Sequence, residues 1–283
     1  MADGSTLRVL HVSDLHFGRP CIPAVIDAME AHFHASPYDV AVISGDVAQR
    51  SLSGELQRAA AFIRDARRKA PLIIVPGNHD VSWWMSPMHL RGMDPLYTRY
   101  RRLVSAQLET TLDVPGARFV GVNTSHGVGW YTLTLRPRDV SIIGVVTDAQ
   151  LDRVAAECHA TPPAHARVVV MHHNPVLGNL SNRYGIKHPA KVLSRYAAAG
   201  VDLVLCGHDH QEAVHQLADH GGMVVCTAGT LSDRSRGGRP CSFHDITITR
   251  RQISVVTHYW STERAVFEPS VPSCFERSSR ASG

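Results

Sequence analysis

The chain is poor in the features that most quickly classify a protein. It has six cysteines in 283 residues, and Cys21, Cys158, Cys206, Cys226, Cys241 and Cys274 never form a C-x-x-C pair. That argues against a zinc ribbon and a disulfide framework, and favours buried or free thiols in a reducing compartment. No uninterrupted apolar stretch approaches the roughly 20 residues that span a bilayer. Residues 1–6 lack the charged-then-apolar pattern of a signal peptide, so a cytoplasmic location is expected. The net charge is only +4 with histidine neutral. Without a basic tract, nucleic acid is not expected as a partner. No internal repeat or linker divides the chain. The expected organisation is one domain over residues 1–262 and a weakly ordered polar tail over 263–283, rich in Ser, Pro and Arg.

Histidine, by contrast, is abundant, at 18 residues, and the excess gives weight to metal chemistry. One stretch organises the rest: Gly77-Asn78-His79-Asp80. It follows the apolar run Leu72-Ile73-Ile74-Val75 and Pro76, a pattern that reads as a buried strand ending in a tight turn. Alone it could be a turn and no more. Four other apolar runs end the same way, delivering Asp14 and His16, Asp46, His172 and His173, and His208 and His210. Polar side chains at the ends of rigid elements acquire defined geometry.

Strands over 7–12, 39–44 and 72–75 alternate with helices over 22–34 and 54–69. That rhythm predicts a parallel sheet with the candidate residues at its carboxyl edge. A helix over 95–112, strands over 118–123 and 140–146, and a helix from Asp148 capped by Thr147 follow. Next come a strand over 167–171, a helix over 190–199 and a strand over 202–206. The closely spaced strands 223–227, 241–248 and 252–260 suggest antiparallel pairing. Loops 81–100, with Trp83, Trp84 and Met85, and 178–190 are expected to wall a pocket. The same apolar loops could serve a homodimer contact.

Asp14, His16, Asp46, Asn78, His172, His208 and His210 form a ligand set without sulfur. Nitrogen and oxygen donors suit Zn, Mn, Fe, Co or Ni. Seven are too many for one tetrahedral ion and about right for two that share a carboxylate. Two divalent ions outweigh the charges of Asp14 and Asp46, so the site stays cationic and calls for an anionic, phosphorylated substrate. Such a pair can generate hydroxide and clamp phosphoryl oxygens.

In order and spacing, Asp14-x-His16, Gly45-Asp46, Gly77-Asn78-His79-Asp80, His172 and Gly207-His208-x-His210 resemble the calcineurin-like metallophosphoesterases. The resemblance runs over residues 8–210. It implies an α/β fold, a four-layer α/β/β/α sandwich of two mixed sheets flanked by helices. One ion would be held by Asp14, His16, Asp46 and His210, the other by Asp46, Asn78, His172 and His208, with Asp46 as the bridge. The ions would be a divalent or mixed-valence pair of Mn, Fe, Zn or Co. His79 would hydrogen-bond the phosphoryl group and protonate the leaving oxygen, Asp80 would orient His79, and His173 would support the ligands or face the substrate. The implied reaction is hydrolysis of a small phosphodiester by a metal-bound hydroxide attacking in line. The alternatives are pyrophosphate or monoester hydrolysis and, from a different class, a non-catalytic metal-binding scaffold.

Gly45-Asp46-Val47-Ala48-Gln49-Arg50 departs from the Ser/Thr protein phosphatases. Gln49 stands where purple acid phosphatases carry a tyrosine ligand. The blocks look most like those of the bacterial class III cyclic-nucleotide phosphodiesterases and the related glycerophosphodiesterases. Val81-Ser82-Trp83-Trp84 differs from the polar residues usual after that block in the cyclic-nucleotide enzymes.

Overall fold

The computed structural model describes residues 6–134, 140 and 142–277. Its layers follow from the period-two alternation of its strands. In β1 (Leu7–Val12), Leu7 and Val9 enter one apolar cluster while Leu10 and Val12 enter another. Successive side chains of a strand leave opposite faces, so both faces of this sheet are covered.

The first sheet runs β12 (Val266–Pro269), β11 (Gln252–Ser261), β10 (Ser242–Ile248), β1, β2 (Val40–Ile43) and β3 (Leu72–Ile74), with β13 (Ser273–Glu276) also paired to β11. The second runs β4 (Thr111–Val114), β5 (Ala117–Val122), β6 (Ala166–His173), β7 (Leu203–Gly207), β9 (Met223–Thr227) and β8 (Ala213–Leu217). Between the sheets lie Val9, Val42, Phe119, Val168, Leu205 and Ile246. Outside the first sheet, α1 (Pro23–Ala35) and α2 (Ser53–Lys69) bury Met29, Leu56 and Ile63 among Leu10, Ile43 and Ile74. Outside the second, α4 (Asp148–His159) and α5 (Pro189–Ala198) bury Leu151, Val154 and Tyr196 among Val120, Val169 and Val204. Each such fully buried side chain stabilises the fold by about 1.5–3 kcal/mol. The result is the expected four-layer α/β/β/α sandwich of two mixed sheets. The Thr147 cap is also present: its hydroxyl accepts the Gln150 N–H, and the Gln150 side chain accepts the Thr147 N–H in return.

Several expectations are corrected. The helix expected over 95–112 is α3 (Asp94–Leu103), and it stops early. Pro115-Gly116, with Gly116 at φ 91°, turns Thr111–Val114 back onto β5 as a hairpin. Among the described residues of 140–146 there is no strand, only an isolated bridge from Gly144 to Ile186. Strand β9 pairs with β7 in parallel and with β8, not with β10. The stretch read as a weakly ordered tail holds β12 and β13, which cover successive halves of one edge of β11. It is one edge strand interrupted around Pro272, since proline cannot donate to a ladder.

Candidate metal centre

The carboxyl ends of β1, β2, β3, β6 and β7 converge where the two sheets meet. Asp14 and His16 follow β1, Asp46 follows β2, and Asn78 opens a single helical turn, Asn78–Asp80, after β3. His172 is the next-to-last residue of β6, and His208 and His210 follow β7. All seven expected ligands are therefore brought together. Nε2 of His16 lies 3.0 Å from Nε2 of His210, and Asp14 Oδ1 is 3.1 Å from that His210 nitrogen. Asp46 Oδ2 stands between two groups, 3.9 Å from Nε2 of His16 and 3.3 Å from Nε2 of His172. Asn78 Oδ1 is 3.2 Å from Nε2 of His172 and 3.1 Å from Nδ1 of His208.

The backbone that presents these groups is strained. Asp14, His16, Asp46, His208 and His210 all have φ between 45° and 72°, a region that non-glycine residues seldom occupy. Each such residue costs of order 1 kcal/mol or more. Five in one cluster indicate that placement of side chains outweighs local stability here. The flanking glycines have a different reason. A Cβ on Gly77 would strike the Asp46 carboxylate, and one on Gly207 would strike Ser13 and the Asp14 carboxylate. The Gly-Asn-His-Asp and Gly-His-x-His blocks thus need glycine so that the backbone can lie directly against the two acids.

The electrostatics suit a cation. Asp14 and Asp46 are buried, and Asp14 Oδ1 and Asp46 Oδ2 have no hydrogen-bond partner, an arrangement costly unless a positive charge completes it. Burial alone would raise Asp14, but the charge of His210 and the close approach of His16 and His210 hold it well below the usual carboxylate range. Burial likewise works against Asp46, yet His172 and His79 hold it low. Burial would lower His172, but Asp46 beside it raises it to about 9. His208 is pushed down to about 3 by burial and by His172. Nδ1 of His172 donates to the Ser44 carbonyl at 2.8 Å, and Nδ1 of His210 to the Arg234 carbonyl at 3.0 Å. These bonds fix the rings so that each Nε2 points inward, the usual way a protein orients metal-binding histidines. The donor set, with its orphaned acid oxygens, fits transition-metal ions.

The neighbours of the ligands hold two surprises. Asp80 does not touch His79. It is fully buried and accepts the backbone N–H groups of Gly77, Val47 and Ala48 at 2.9, 3.2 and 2.9 Å, tying the turn after β2 to the turn after β3. His79 is oriented instead by the Gln49 carbonyl, 2.7 Å from Nδ1, and its Nε2 accepts from Nη1 of Arg234 at 2.9 Å. Arg234 was not foreseen from the sequence, since it lies in a loop with no strand-end pattern. His173 packs against the ligand side chains, with a ring nitrogen within 4.8 Å of those of His172 and His208. It is buried beside His208, ring centres 4.4 Å apart, with Nδ1 2.7 Å from the Thr124 hydroxyl.

Two cavities open on the centre. One of about 350 Å³ is lined by Asn78, His79, Gln49, Leu52, Trp83 and Trp84. The other, of about 430 Å³, is lined by His208, Asp209, Asn182, Arg183, Tyr184 and Arg236. Ile142 borders both. The two loops expected to wall a pocket each contribute to one.

The sequence matches none of the curated proteins. Among solved structures, the chain superimposes on that of PhoD with a TM-score of 0.69 at 10% identity, covering 98% of this chain and 70% of that one. For a purple acid phosphatase, PPD1, from yellow lupin (Lupinus luteus) seeds, the TM-score is 0.66 at 11% identity over 97% of this chain. The chain spans 54% of the lupin protein's length. For GAP50, the anchor in the inner membrane complex of Plasmodium, it is 0.59 at 14% identity, covering 98% and 91% of the two chains. At such identities these likenesses establish the fold. Residues 7–212 match the family described as calcineurin-like phosphoesterase. With that match over most of its length and this fold, the chain belongs to the calcineurin-like phosphoesterase family.

Proposed function

We propose that the chain is a dinuclear metal-dependent phosphodiesterase acting on a small phosphorylated substrate. The family and fold carry metal-dependent phosphoester hydrolysis. The observation that favours a diester is the pair of cavities flanking one centre, one reached past Asn78 and His79 and the other past His208. A phosphomonoester has one organic arm to accommodate, and a diester has two.

In this reading Asp14, His16, Asp46 and His210 hold one ion, and Asp46, Asn78, His172 and His208 hold the other. The place of Asp46 Oδ2 between His16 and His172 suits a bridge. Bound there, the ions supply activated water and Lewis acidity toward the phosphoryl group. The chain's own residues do the rest. Arg234, oriented by His79 and Gln49, presents its guanidinium to phosphoryl oxygens. Asp80 keeps the turns that carry Asp46 and Asn78 at fixed separation. Trp83 and Trp84 wall one arm of the substrate, and Asn182, Arg183 and Tyr184 the other.

The test compares bis(p-nitrophenyl) phosphate with p-nitrophenyl phosphate on protein stripped with chelator and reloaded with Mn, Zn or Fe. Turnover of the diester well above the monoester is expected. A monoester preference would move the activity to a phosphatase or nucleotidase.

A further inference from the structure

We propose that the mouth of the metal centre is an interfacial surface that docks on an anionic phospholipid bilayer. The inference rests on neither the metals nor the reaction. Four segments form the mouth: 81–92, 126–134, 177–191 and 234–241. None contains a single Asp or Glu, although the chain holds 25. Three of them carry basic residues, Arg91, Arg183, Lys187, Lys191, Arg234, Arg236 and Arg239 among them.

The segments are contiguous in space. His89 Nε2 donates to the His126 carbonyl at 2.7 Å, and Lys187 Nζ donates to the Leu133 carbonyl. The backbone of Gly127 lies against Trp83, and that of Gly237 against Leu180. Ten of the twelve exposed large apolar side chains among the described residues lie on these segments or on the adjoining Leu52; the other two are Val266 and Val271. Several are far out in water: Leu90 is 83% exposed, Trp130 76% and Leu180 51%. A rim of this kind exceeds the scattered apolar residues of an ordinary surface and marks an interaction site.

The composition selects the partner. The exposed guanidinium groups of Arg91 and Arg183 favour an anionic surface, while Arg236, Arg239 and Lys191 at the edge of the mouth are paired with Asp209, Glu212 and Asp148. Single-stranded nucleic acid would also welcome arginine and indole, which stack on bases. It gives no return for Leu90, the most exposed apolar residue of the rim, or for Leu180, because aliphatic side chains do not stack. A bilayer surface takes both kinds: indoles at the headgroup level, leucines into the acyl boundary, and basic groups on lipid phosphates. No helix among the described residues is long and apolar enough to cross a membrane.

The experiment is co-sedimentation of the whole protein with vesicles of phosphatidylcholine alone and with phosphatidylglycerol added, beside a single-stranded oligonucleotide control. Binding to the mixed vesicles is expected, with much less to pure phosphatidylcholine. Leu90→Glu and Trp130→Glu, on different loops, should each weaken it about tenfold or more, since burying such a side chain drives partition by at least that factor. Both side chains are exposed, and thermal unfolding of each variant checks that the fold is retained. Absence of vesicle binding would overturn the proposal. So would binding unchanged by both variants, which is adventitious attraction of a basic protein, or a preference for the oligonucleotide.

Discussion

Nη1 of Arg234 donates to Nε2 of His79 at 2.9 Å and reaches Gln49 Oε1 at 3.2 Å. With a donor at Nε2, the neutral imidazole carries its proton on Nδ1, where the Gln49 carbonyl accepts it. Burial lowers the tendency of His79 to charge; Asp46 opposes this, while His16 and Arg234 reinforce it. The fixed cation beside the centre is therefore Arg234. Arg234→Gln should raise KM about 10- to 100-fold, the worth of a charge-assisted hydrogen bond, with a smaller change in kcat. Arg234→Lys should restore part of the loss, as a point charge without the planar fork. An unchanged KM in both variants would remove Arg234 from substrate binding.

The contact between His172 and Asp46 predicts how metal affinity varies with pH. The imidazole is raised to about 9 by the carboxylate, so below that pH it holds a proton that must leave before Nε2 can bind an ion. Its folded value lies above its unfolded one. The proton thus stabilises the metal-free fold fully below about pH 6.5, and that contribution fades as pH rises through about 9. Metal binding competes with it, so affinity should climb by up to about tenfold per pH unit between roughly pH 6.5 and 8. Calorimetry at neutral pH in two buffers of different ionisation enthalpy should show proton release. Chelation should lower the melting temperature, because an ion bound only to the native state stabilises it.

The ligand set is tested by Asp46→Ala and Asn78→Ala. Each should reduce metal content and lower kcat about 100-fold or more while circular dichroism is retained. Full turnover by Asn78→Ala with the ion pair still bound would show that Asn78 is no ligand.

Asp80 and His79 are neighbours with separable roles. Asp80→Ala strands three buried N–H donors at Gly77, Val47 and Ala48, and should cost about 3 kcal/mol or more in stability. His79→Ala removes a half-buried ring held by the His16 ring edge, the Gln49 carbonyl and Arg234, and should lower turnover with a smaller change in denaturant midpoint than Asp80→Ala. If Asp80→Ala matched His79→Ala in both readouts, the carboxylate would be acting through the imidazole after all.

The ease of reading the site from sequence follows from where its residues lie. Asp14, Asp46, Asn78, His172 and His208 each sit within a few residues of an apolar run, so local pattern finds them. Arg234 lies on an irregular loop and meets His79 only through the fold, and no local signal marks it. The same division holds for the architecture. The helices α1, α2, α4 and α5 and the buried strands have clear periodicity. The pairing partner of β9 is a non-local choice that periodicity does not encode. Strand β8 is only partly buried along its length, so it lacks the alternation that reveals a strand. Strands β12 and β13 are short, largely exposed and interrupted by proline, which made the chain's last section resemble a tail.

That last section makes the final prediction. Nη2 of Arg277 lies 3.3 Å from Asp202 Oδ2, with both side chains at most 5% exposed. Nη1 of Arg277 also donates to the Thr249 carbonyl at 2.7 Å. Phe275 packs against the apolar layer between the sheets. A chain ending at residue 262 would lose β12 and β13, bare an edge of β11, and take the Arg277 cation away from the Asp202 carboxylate. Removing one partner of a buried ion pair costs about 3–5 kcal/mol, and an unpaired edge strand invites association between molecules. The truncated protein should melt well below the full chain and elute partly as aggregate on gel filtration. Arg277→Met separates the two causes: it keeps both strands and removes only the charge, so it should reproduce the stability loss without the aggregation. An unaltered melting temperature in the truncated protein would return residues 263–277 to the status of a dispensable tail.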